Sequence, residues 1–220
     1  SSSLVRIESC PILTGQLNAL LSDSKPLFEA ARKLMFANRG GKSRYLEVPA
    51  FASERIVSLL DEEIDITVGE KRFFVTSEVF FQSNRYLTAA LGEYVAGKAI
   101  GTSVMDLYSG VGTFSAFLAQ PGRRVVAVER QKQCLQLAKK HLGDCEFYTD
   151  AVEVWAKHQS PRVDTVVVDP PRTGLDQGVP SLIASWKPLR IVYVSCNSVT
   201  LARDLQRFAS EGYTVTTVRV

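Results

Sequence analysis

From Ser103 to Val220, the sequence alternates short, apolar, β-branched runs with helical stretches. Strands are predicted over residues 104–108, 125–129, 146–148, 165–169, 190–195 and 213–220. Helices are predicted from Thr113 and over residues 131–141, 151–156 and 199–210. This alternation predicts a doubly wound α/β domain, with a mostly parallel sheet covered by helices on both faces. Functional side chains in such sheets lie where strands end, so the residues that follow each strand are the most informative.

The amino-terminal part of the chain predicts a small α+β region. Its strands are expected at residues 4–7, 45–48, 64–68 and 72–75, and its helix at 26–36. Residues 38–44 hold two glycines among basic residues, which fits either a solvated loop or a loop that contacts phosphates. Residues 79–84 then lead into an amphipathic helix over 85–95. We therefore predict two domains, residues 1–78 and residues 79–220.

Composition excludes several classes of protein. The 26 basic and 23 acidic residues leave a net charge of +3, which is compatible with a polyanionic partner without requiring one. No apolar run reaches the ~20 residues that cross a bilayer, so we expect no membrane association and a cytoplasmic location. The four cysteines form no Cys-x-x-Cys pair and only two histidines are present, which predicts reduced thiols and no zinc site.

A glycine-containing turn follows the first strand of the larger domain. Gly110 and Gly112 allow backbone to approach a ligand closely, although tight turns also use glycine for local reasons. Glu129 ends the next strand, where a carboxylate can accept both hydroxyls of a ribose. This pair predicts a nucleoside cofactor. The lack of a third glycine, together with Asp106 inside the strand in a position to accept an ammonium group, favours S-adenosylmethionine over a dinucleotide.

The strand at 165–169 ends in Asp169, followed by Pro170, Pro171 and Arg172. Consecutive prolines make a stiff loop with few hydrogen-bond donors, which would hold Asp169 in a fixed position. Adenine and cytosine amino-methylases carry a similar loop with an aromatic fourth residue. Arg172 could stack on a base or bind phosphate, and it could equally pair with a local carboxylate.

Cys196 follows the apolar run 191–194 and precedes a predicted helix, which Asn197 or Ser198 can cap. A thiol next to a helix start is more easily ionised, which suits a nucleophile. The alternative is that Cys196 is a small buried hydrophobic residue, as most free cysteines are. Cys134 inside a helix and Cys145 at a strand start are expected to be inert.

Four motifs together resemble the RNA uracil-C5 methyltransferases that act on tRNA or 23S rRNA. They match that family in order and spacing, and the likeness covers residues 79–220. The resemblance implies a Rossmann-like, class I S-adenosylmethionine-dependent methyltransferase fold. We also expect a monomer in which residues 1–78 contact RNA. The motifs are residues 81–84, 106–114, 169–175, and 195–197 with 203–205.

The resemblance also implies a mechanism and a set of site residues. In the family, a cysteine thiolate adds to uracil C6 and makes C5 nucleophilic, and Cys196 holds that position here. The target uridine, in rRNA or tRNA, must be looped or flipped out of its stack. Asp169 would lie near both the cofactor and the uracil. Cofactor contacts fall on Gln82, Asp106, Tyr108, Gly110, Gly112, Thr113, Glu129 and Asp169, and RNA contacts on Arg172, Asn197 and Arg203.

The chain departs from the family pattern in several places. Ser198 stands where the family usually has proline. Cys10 resembles the fourth cysteine of the iron–sulfur site that some members carry, and alone it cannot hold a cluster, so we expect no metal. The RNA-binding barrel of many members is not found. The family's general base, a glutamate, and the last strand of its sheet are expected beyond Val220.

Two alternatives compete with the uracil methyltransferase hypothesis. An amino-methyltransferase would use the Asp169 loop and would not need Cys196. A non-catalytic RNA-binding module would keep the cofactor fold without forming a methylated product.

Overall fold

The computed structural model describes residues 9, 18–19, 63–76, 79–82, 84–159 and 161–220. The chain divides into two compact units, Ser1–Thr88 and Ala89–Val220. The division into functional domains before Val79 stays a prediction. Several predicted features lie outside the described residues, namely the strands at 4–7 and 45–48, the helix at 26–36 and the basic loop at 38–44.

The amino-terminal unit contains a β-hairpin. Strand β1 (Ile64–Val68) pairs antiparallel with β2 (Lys71–Val75), and Ile64 lies opposite Val75. Buried and exposed residues alternate along β1, as a strand with one covered face requires. The turn uses Gly69 with a φ of 59°, a left-handed conformation that glycine adopts without steric cost. The strand predicted at 64–68 is confirmed, and β2 begins one residue before the prediction.

The larger unit is built on a five-stranded parallel sheet in the order β5-β4-β3-β6-β7. Helix α1 (Arg85–Lys98) comes before the sheet. The Rossmann-like arrangement predicted from strand–helix alternation is confirmed. Its strands and helices are β3 (Ser103–Leu107), α2 (Thr113–Leu118), β4 (Arg124–Glu129), α3 (Lys132–Ala138), β5 (Cys145–Thr149), α4 (Val152–Trp155) with the 3₁₀ turn Ala156–His158, β6 (Thr165–Val168), α5 (Val179–Ser185), β7 (Arg190–Tyr193) and α6 (Ser198–Ser210).

The order of the strands reverses at β3. The chain first moves outward on one side through β4 and β5, and then returns to the other side of β3 through β6 and β7. Ligands of open α/β sheets bind in the crevice at such a reversal, beyond the carboxyl ends of the strands. The reversal therefore places the candidate site between the ends of β3 and β6.

Apolar side chains cover both faces of the sheet. Strand β6 is buried along its whole length, which matches its unbroken run of threonine and valine residues. Trp155 and Trp186 meet edge to face, with ring centroids 5.9 Å apart. The buried cluster comprises Met105, Leu107, Val126, Val128, Val152, Trp155, Ala156, Val163, Val166, Val168, Leu175, Val179, Ile183, Trp186 and Phe208.

Polar side chains tie the strands together at the opposite end of the sheet from the predicted site. The Thr165 hydroxyl donates to the Ile100 carbonyl at 2.7 Å and accepts from the Ile100 amide at 2.9 Å. Asp164 Oδ2 accepts from the amides of Thr102 at 2.8 Å and Ser103 at 2.9 Å. These bonds fix the start of β3 against β6.

One prediction about the larger unit is wrong, and one helix of this unit was not predicted. Residues 213–220 form no strand, because no ladder forms between this segment and β7, and all of them but Tyr213 are exposed. The alternating pattern of residues 213–220 has no other strand to pair with among the described residues. Helix α5 was not predicted; it is short, begins with Pro180 in its first turn, and is stabilised by burial of Val179 and Ile183.

The described ranges contain no helix that is both long and apolar enough to cross a membrane.

Replacing Thr165 by valine tests the two hydrogen bonds between its hydroxyl and Ile100. Thr165 is fully buried and its hydroxyl bonds both polar groups of Ile100. The Thr165→Val variant leaves those groups without a partner, so we expect the free energy of unfolding to fall by about 1–3 kcal/mol in urea denaturation. The exposed control Thr102→Val should change it by less than about 0.5 kcal/mol. Equal effects of the two variants would contradict a stabilising role for the hydrogen bonds of Thr165.

Candidate active site

The predicted site residues of the larger unit follow strand ends that lie side by side. Leu107 pairs with Val128 on one side and with Val168 on the other, and Val168 pairs in turn with Tyr193. The segments after β4, β3, β6 and β7 consequently leave the same edge of the sheet. They carry, in that spatial order, Glu129, the glycine turn, Asp169 and Cys196.

The glycine turn after β3 is tightly wound. Gly110 and Gly112 have φ values of 56° and 79°, and even Tyr108 adopts a φ of 62°, which is uncommon for a residue with a side chain. A Cβ on Gly112 would lie 2.5 Å from Leu142 Cδ1, whereas a Cβ on Gly110 would meet nothing within 4 Å. Gly112 is therefore needed for packing, and Gly110 leaves open space beside its backbone.

Glu129 is held against this turn. Its Oε2 accepts from the Gly110 amide at 3.1 Å, and its Oε1 accepts from the Gln131 amide at 2.7 Å. The two bonds fix the carboxylate at the tip of β4, and each oxygen keeps a second lone pair for a ligand. The sequence suggested the location of Glu129 but not its bond to the glycine turn.

Asp106 is fully buried within β3. Its Oδ2 accepts a hydrogen bond from the Ser115 hydroxyl at 2.6 Å, and its Oδ1 is buried without a hydrogen-bond partner. Burial raises the pKa of this carboxyl from 3.8 to about 7. The Ser109 hydroxyl is a second buried polar atom with no partner in the same turn. A buried carboxylate oxygen without a partner is stabilised by a cationic ligand, and the contact of Asp106 with an ammonium group stays a prediction.

Asp169 lies directly beyond β6 and next to the glycine turn. Its amide donates to the Leu107 carbonyl at 3.3 Å, so the ladder between β3 and β6 continues one residue past the strand. The side chain is half-buried, and burial raises the pKa of its carboxyl to about 6. Asp169 thus lies between the turn that precedes α2 and the end of β7.

Cys196 is exposed, and hydrogen bonds hold the residues on either side of it. The Ser195 hydroxyl donates to the Asn197 carbonyl at 3.0 Å and accepts from the Asn197 amide at 3.1 Å. Asn197 Oδ1 accepts from the Val199 amide at 3.0 Å, so Asn197 is the cap of α6. The thiol is therefore presented at the start of a 13-residue helix and is not buried as a small hydrophobic residue.

The segment carrying Cys196 is tied to the loop after β6. Asn197 Nδ2 donates to the Arg172 carbonyl at 3.2 Å, and the Thr200 hydroxyl donates to the same carbonyl at 3.1 Å. The Arg172 side chain is exposed. Arg203 is also exposed, but its guanidinium is bound to Asp204 and to the Thr173 carbonyl. Contacts of Arg172, Asn197 and Arg203 with RNA stay predictions. The sequence places Asp204 within the motif 203–205 but assigns it no role.

The remaining predicted residues lie in different surroundings. Thr113 is buried at the first position of α2, and Tyr108 is half-buried, with a pKa raised by burial and by nearby carboxylates. Gln82 belongs to the amino-terminal unit and is half-buried, in the segment that follows β2 in the sequence. Their cofactor roles stay predictions. Within the described ranges, no group of three or more histidine, cysteine or acidic side chains could hold a metal ion.

Comparison with known proteins identifies the family. The profile of the family described as tRNA (uracil-5-)-methyltransferase matches residues 156–219. A tRNA (uracil(54)-C(5))-methyltransferase of Pyrococcus horikoshii is 34% identical over 193 residues, which is 85% of this chain and 45% of that protein. An uncharacterised RNA methyltransferase of Halalkalibacterium halodurans is 37% identical over 164 residues, which is 70% of this chain and 36% of that protein. The chain belongs to the RNA uracil-C5 methyltransferase family.

Solved structures agree with this assignment. The Pyrococcus abyssi tRNA (uracil-54, C5)-methyltransferase, solved with S-adenosyl-L-homocysteine, is 33% identical, with a TM-score of 0.61 over 66% of this chain and 37% of that chain. A methyltransferase from Streptococcus mutans at 16% identity and a TM-score of 0.52 shares the fold. The chain spans between about a third and about a half of the family members it matches.

Alkylation of the cysteines tests which thiol of this family member is accessible to a reagent in solution. Burial raises the pKa of Cys134 to about 12 and that of Cys145 to about 11, whereas Cys196 is exposed. We expect iodoacetamide at neutral pH to modify Cys196 well before Cys134 or Cys145, as measured by peptide mass spectrometry. Faster modification of Cys134 than of Cys196 would show that the burial described above is wrong.

The Asp106→Asn variant tests the buried carboxyl. A raised carboxyl pKa means that folding disfavours the ionised form, so the free energy of unfolding falls as the pH rises from about 4 to about 7. Between about pH 5 and about pH 8 without added ligand, this fall should be about 1–3 kcal/mol smaller in Asp106→Asn than in the wild type. Urea denaturation at each pH provides the measurement.

The Ser115→Ala variant is the matched control for Asp106. The Ser115 hydroxyl donates to Asp106 and lowers the carboxyl pKa, so its removal should extend the pH-dependent fall in stability to higher pH, while the pH at which the fall begins stays the same. An unchanged pH dependence in Asp106→Asn would be inconsistent with titration of this group.

Proposed function

We propose that the protein methylates C5 of a uracil base in RNA, with S-adenosylmethionine as methyl donor and Cys196 as nucleophile. The supporting observation is the register of the sheet, because Val168 pairs with both Leu107 and Tyr193. This pairing brings the glycine turn, Asp169 and the exposed Cys196 to the ends of three adjacent strands. A cofactor site and a nucleophile are thus next to each other.

The residues present fit the proposed cofactor. The unpartnered Asp106 Oδ1 suits an ammonium group, and the open space beside Gly110 admits a ligand next to backbone. Glu129 keeps lone pairs for ribose hydroxyls while Gly110 and Gln131 hold it in place. Asp169 would border the same ligand. When bound, S-adenosylmethionine supplies an electrophilic methyl group.

Cys196 supplies the activation that uracil requires. Uracil C5 is a poor nucleophile because the ring is electron-poor. Addition of the Cys196 thiolate to C6 forms an S–C6 bond, and the electron pair of the C5–C6 double bond moves to C5, conjugated with the C4 carbonyl. C5 thereby becomes nucleophilic. After methylation, a general base takes the C5 proton, the electron pair of that C–H bond reforms the C5–C6 double bond, and the S–C6 bond breaks to release the Cys196 thiolate.

The proposal that RNA is the substrate rests on the side chains at the same edge of the sheet. Arg172 presents an exposed guanidinium, and its carbonyl is bonded to Asn197, the residue after the nucleophile. A guanidinium there can bind phosphate or stack on a base next to the target. Because C5 is enclosed in a stacked helix, the uridine must lie in a loop or be flipped out. The substrate class is therefore structured RNA, either tRNA or rRNA.

A trapped adduct tests the nucleophile. In RNA that carries 5-fluorouridine, C5 has fluorine in place of the proton that must leave, so the adduct with Cys196 cannot resolve. We expect a covalent protein–RNA complex with the wild type and S-adenosylmethionine, and none with Cys196→Ala, on denaturing gels. Trials with tRNA and with rRNA fragments identify the substrate.

Cys145→Ala is the matched control for the adduct, since this half-buried thiol lies outside the candidate site and its loss should leave adduct formation unchanged. An adduct that persists in Cys196→Ala would overturn the proposed role of Cys196. Methylated adenine or cytosine formed by that variant would instead support an amino-methyltransferase.

A further inference from the structure

Asp204 in helix α6 is a fully buried carboxylate that does not belong to the predicted site. Its Oδ2 accepts from the Leu175 amide at 2.7 Å and from the Tyr193 hydroxyl at 2.8 Å. Its Oδ1 accepts from Arg203 Nε at 3.0 Å and from Arg207 Nη1 at 3.0 Å. Buried charge is costly unless it is fully paired, and Asp204 is paired through both oxygens.

These bonds join three elements that each carry part of the candidate site. Leu175 ends the loop that starts at Asp169, Tyr193 is the last residue of β7, and Asp204 lies in the helix that begins just after Cys196. Arg203 extends the connection, since its Nη2 also donates to the Thr173 carbonyl at 2.8 Å and to the Leu175 carbonyl at 3.2 Å.

Gly174 shows how closely the loop approaches this carboxylate. A Cβ on Gly174 would lie 2.5 Å from both Asp204 Oδ2 and Arg203 Nη2, and the residue has a φ of 75°. Only glycine combines that backbone conformation with that lack of space. The backbone of the loop therefore lies directly against side chains of α6, which leaves little freedom for either to shift alone.

We propose that Asp204 is a positioning residue that fixes the Cys196 segment relative to Asp169. It touches neither the thiol nor the Asp169 carboxyl, and acts by binding the loop after β6, the end of β7 and α6 into one unit. The polar link through Asn197 and the Arg172 carbonyl is a second, exposed contact between the same segments. This inference rests on the proposed function, because the geometry it sets is that between a nucleophile and its substrate site.

The Asp204→Asn variant tests this inference in the intact protein. Asparagine keeps the shape of the side chain but removes the charge that pairs with Arg203 and Arg207. Misplacement of reacting groups by about 1 Å lowers rates by about 100-fold, so we expect a loss of that order in the rate of adduct formation with 5-fluorouridine RNA. The dissociation constant for S-adenosylmethionine should stay unchanged, because Asp106 and Glu129 lie on the other side of Asp169.

The rate is expressed per cofactor-binding site, which separates positioning from loss of folded protein. A merely structural role would lower the melting temperature or the number of binding sites and would leave the rate per site unchanged, and that result would overturn the inference. Tyr193→Phe removes a single hydrogen bond from Asp204 without changing charge. The Tyr193→Phe variant should slow adduct formation roughly 3–10-fold. If Asp204→Asn does not fold, this variant tests the positioning role of Asp204, and an unchanged rate per site would overturn it.

Ser210→Ala is the matched control on the same helix. The Ser210 hydroxyl donates only to the Gln206 carbonyl, away from the loop, so adduct formation should not change. If the wild type forms no adduct, the proposed function fails, and the alkylation rate of Cys196 then tests Asp204 independently. An alkylation rate per folded molecule that is the same in wild type and Asp204→Asn would overturn the positioning role.

Discussion

The candidate site depends on the register of the parallel ladders at the centre of the sheet. Leu107, Val168 and Tyr193 lie in one row across β3, β6 and β7, and the ladder extends past the strands through Asp169 and Val194. A shift by one residue would turn the side chains that follow each strand to the opposite face. Residues far apart in sequence would then no longer meet at one edge.

Two buried carboxylates illustrate how the same chemical group serves different purposes at this edge. Asp204 is paired through both oxygens with an amide, a hydroxyl and guanidinium groups, so its surroundings are complete without a ligand. Asp106 has one oxygen bonded to Ser115 and the other without a partner, and burial raises its pKa. An incompletely paired buried group is more costly in the free protein, and a cationic ligand can offset that cost.

Much of the fold could be predicted because its signals are local. Unbroken β-branched runs mark the buried strands, and Asn197 caps α6 through a bond to an amide two residues away. Helix α5 has weak local signals and forms because its apolar residues are buried. The segment 213–220 has the alternation of a strand yet remains unpaired, since a strand is stable only with a neighbour that supplies hydrogen bonds.

The sequence by itself determined the chemistry of this protein, because motifs after the strands specify which groups are available: the glycine turn, Asp169 and Cys196. Only the tertiary structure decided how those groups are held. Arg203 was predicted to contact RNA, and the fold gives its guanidinium internal partners in Asp204 and the Thr173 carbonyl. The bonds from Arg203 to the Thr173 and Leu175 carbonyls and from the Leu175 amide to Asp204 join positions 28 to 30 residues apart, and no local pattern records them. They form only when strand pairing brings the loop after β6 against α6.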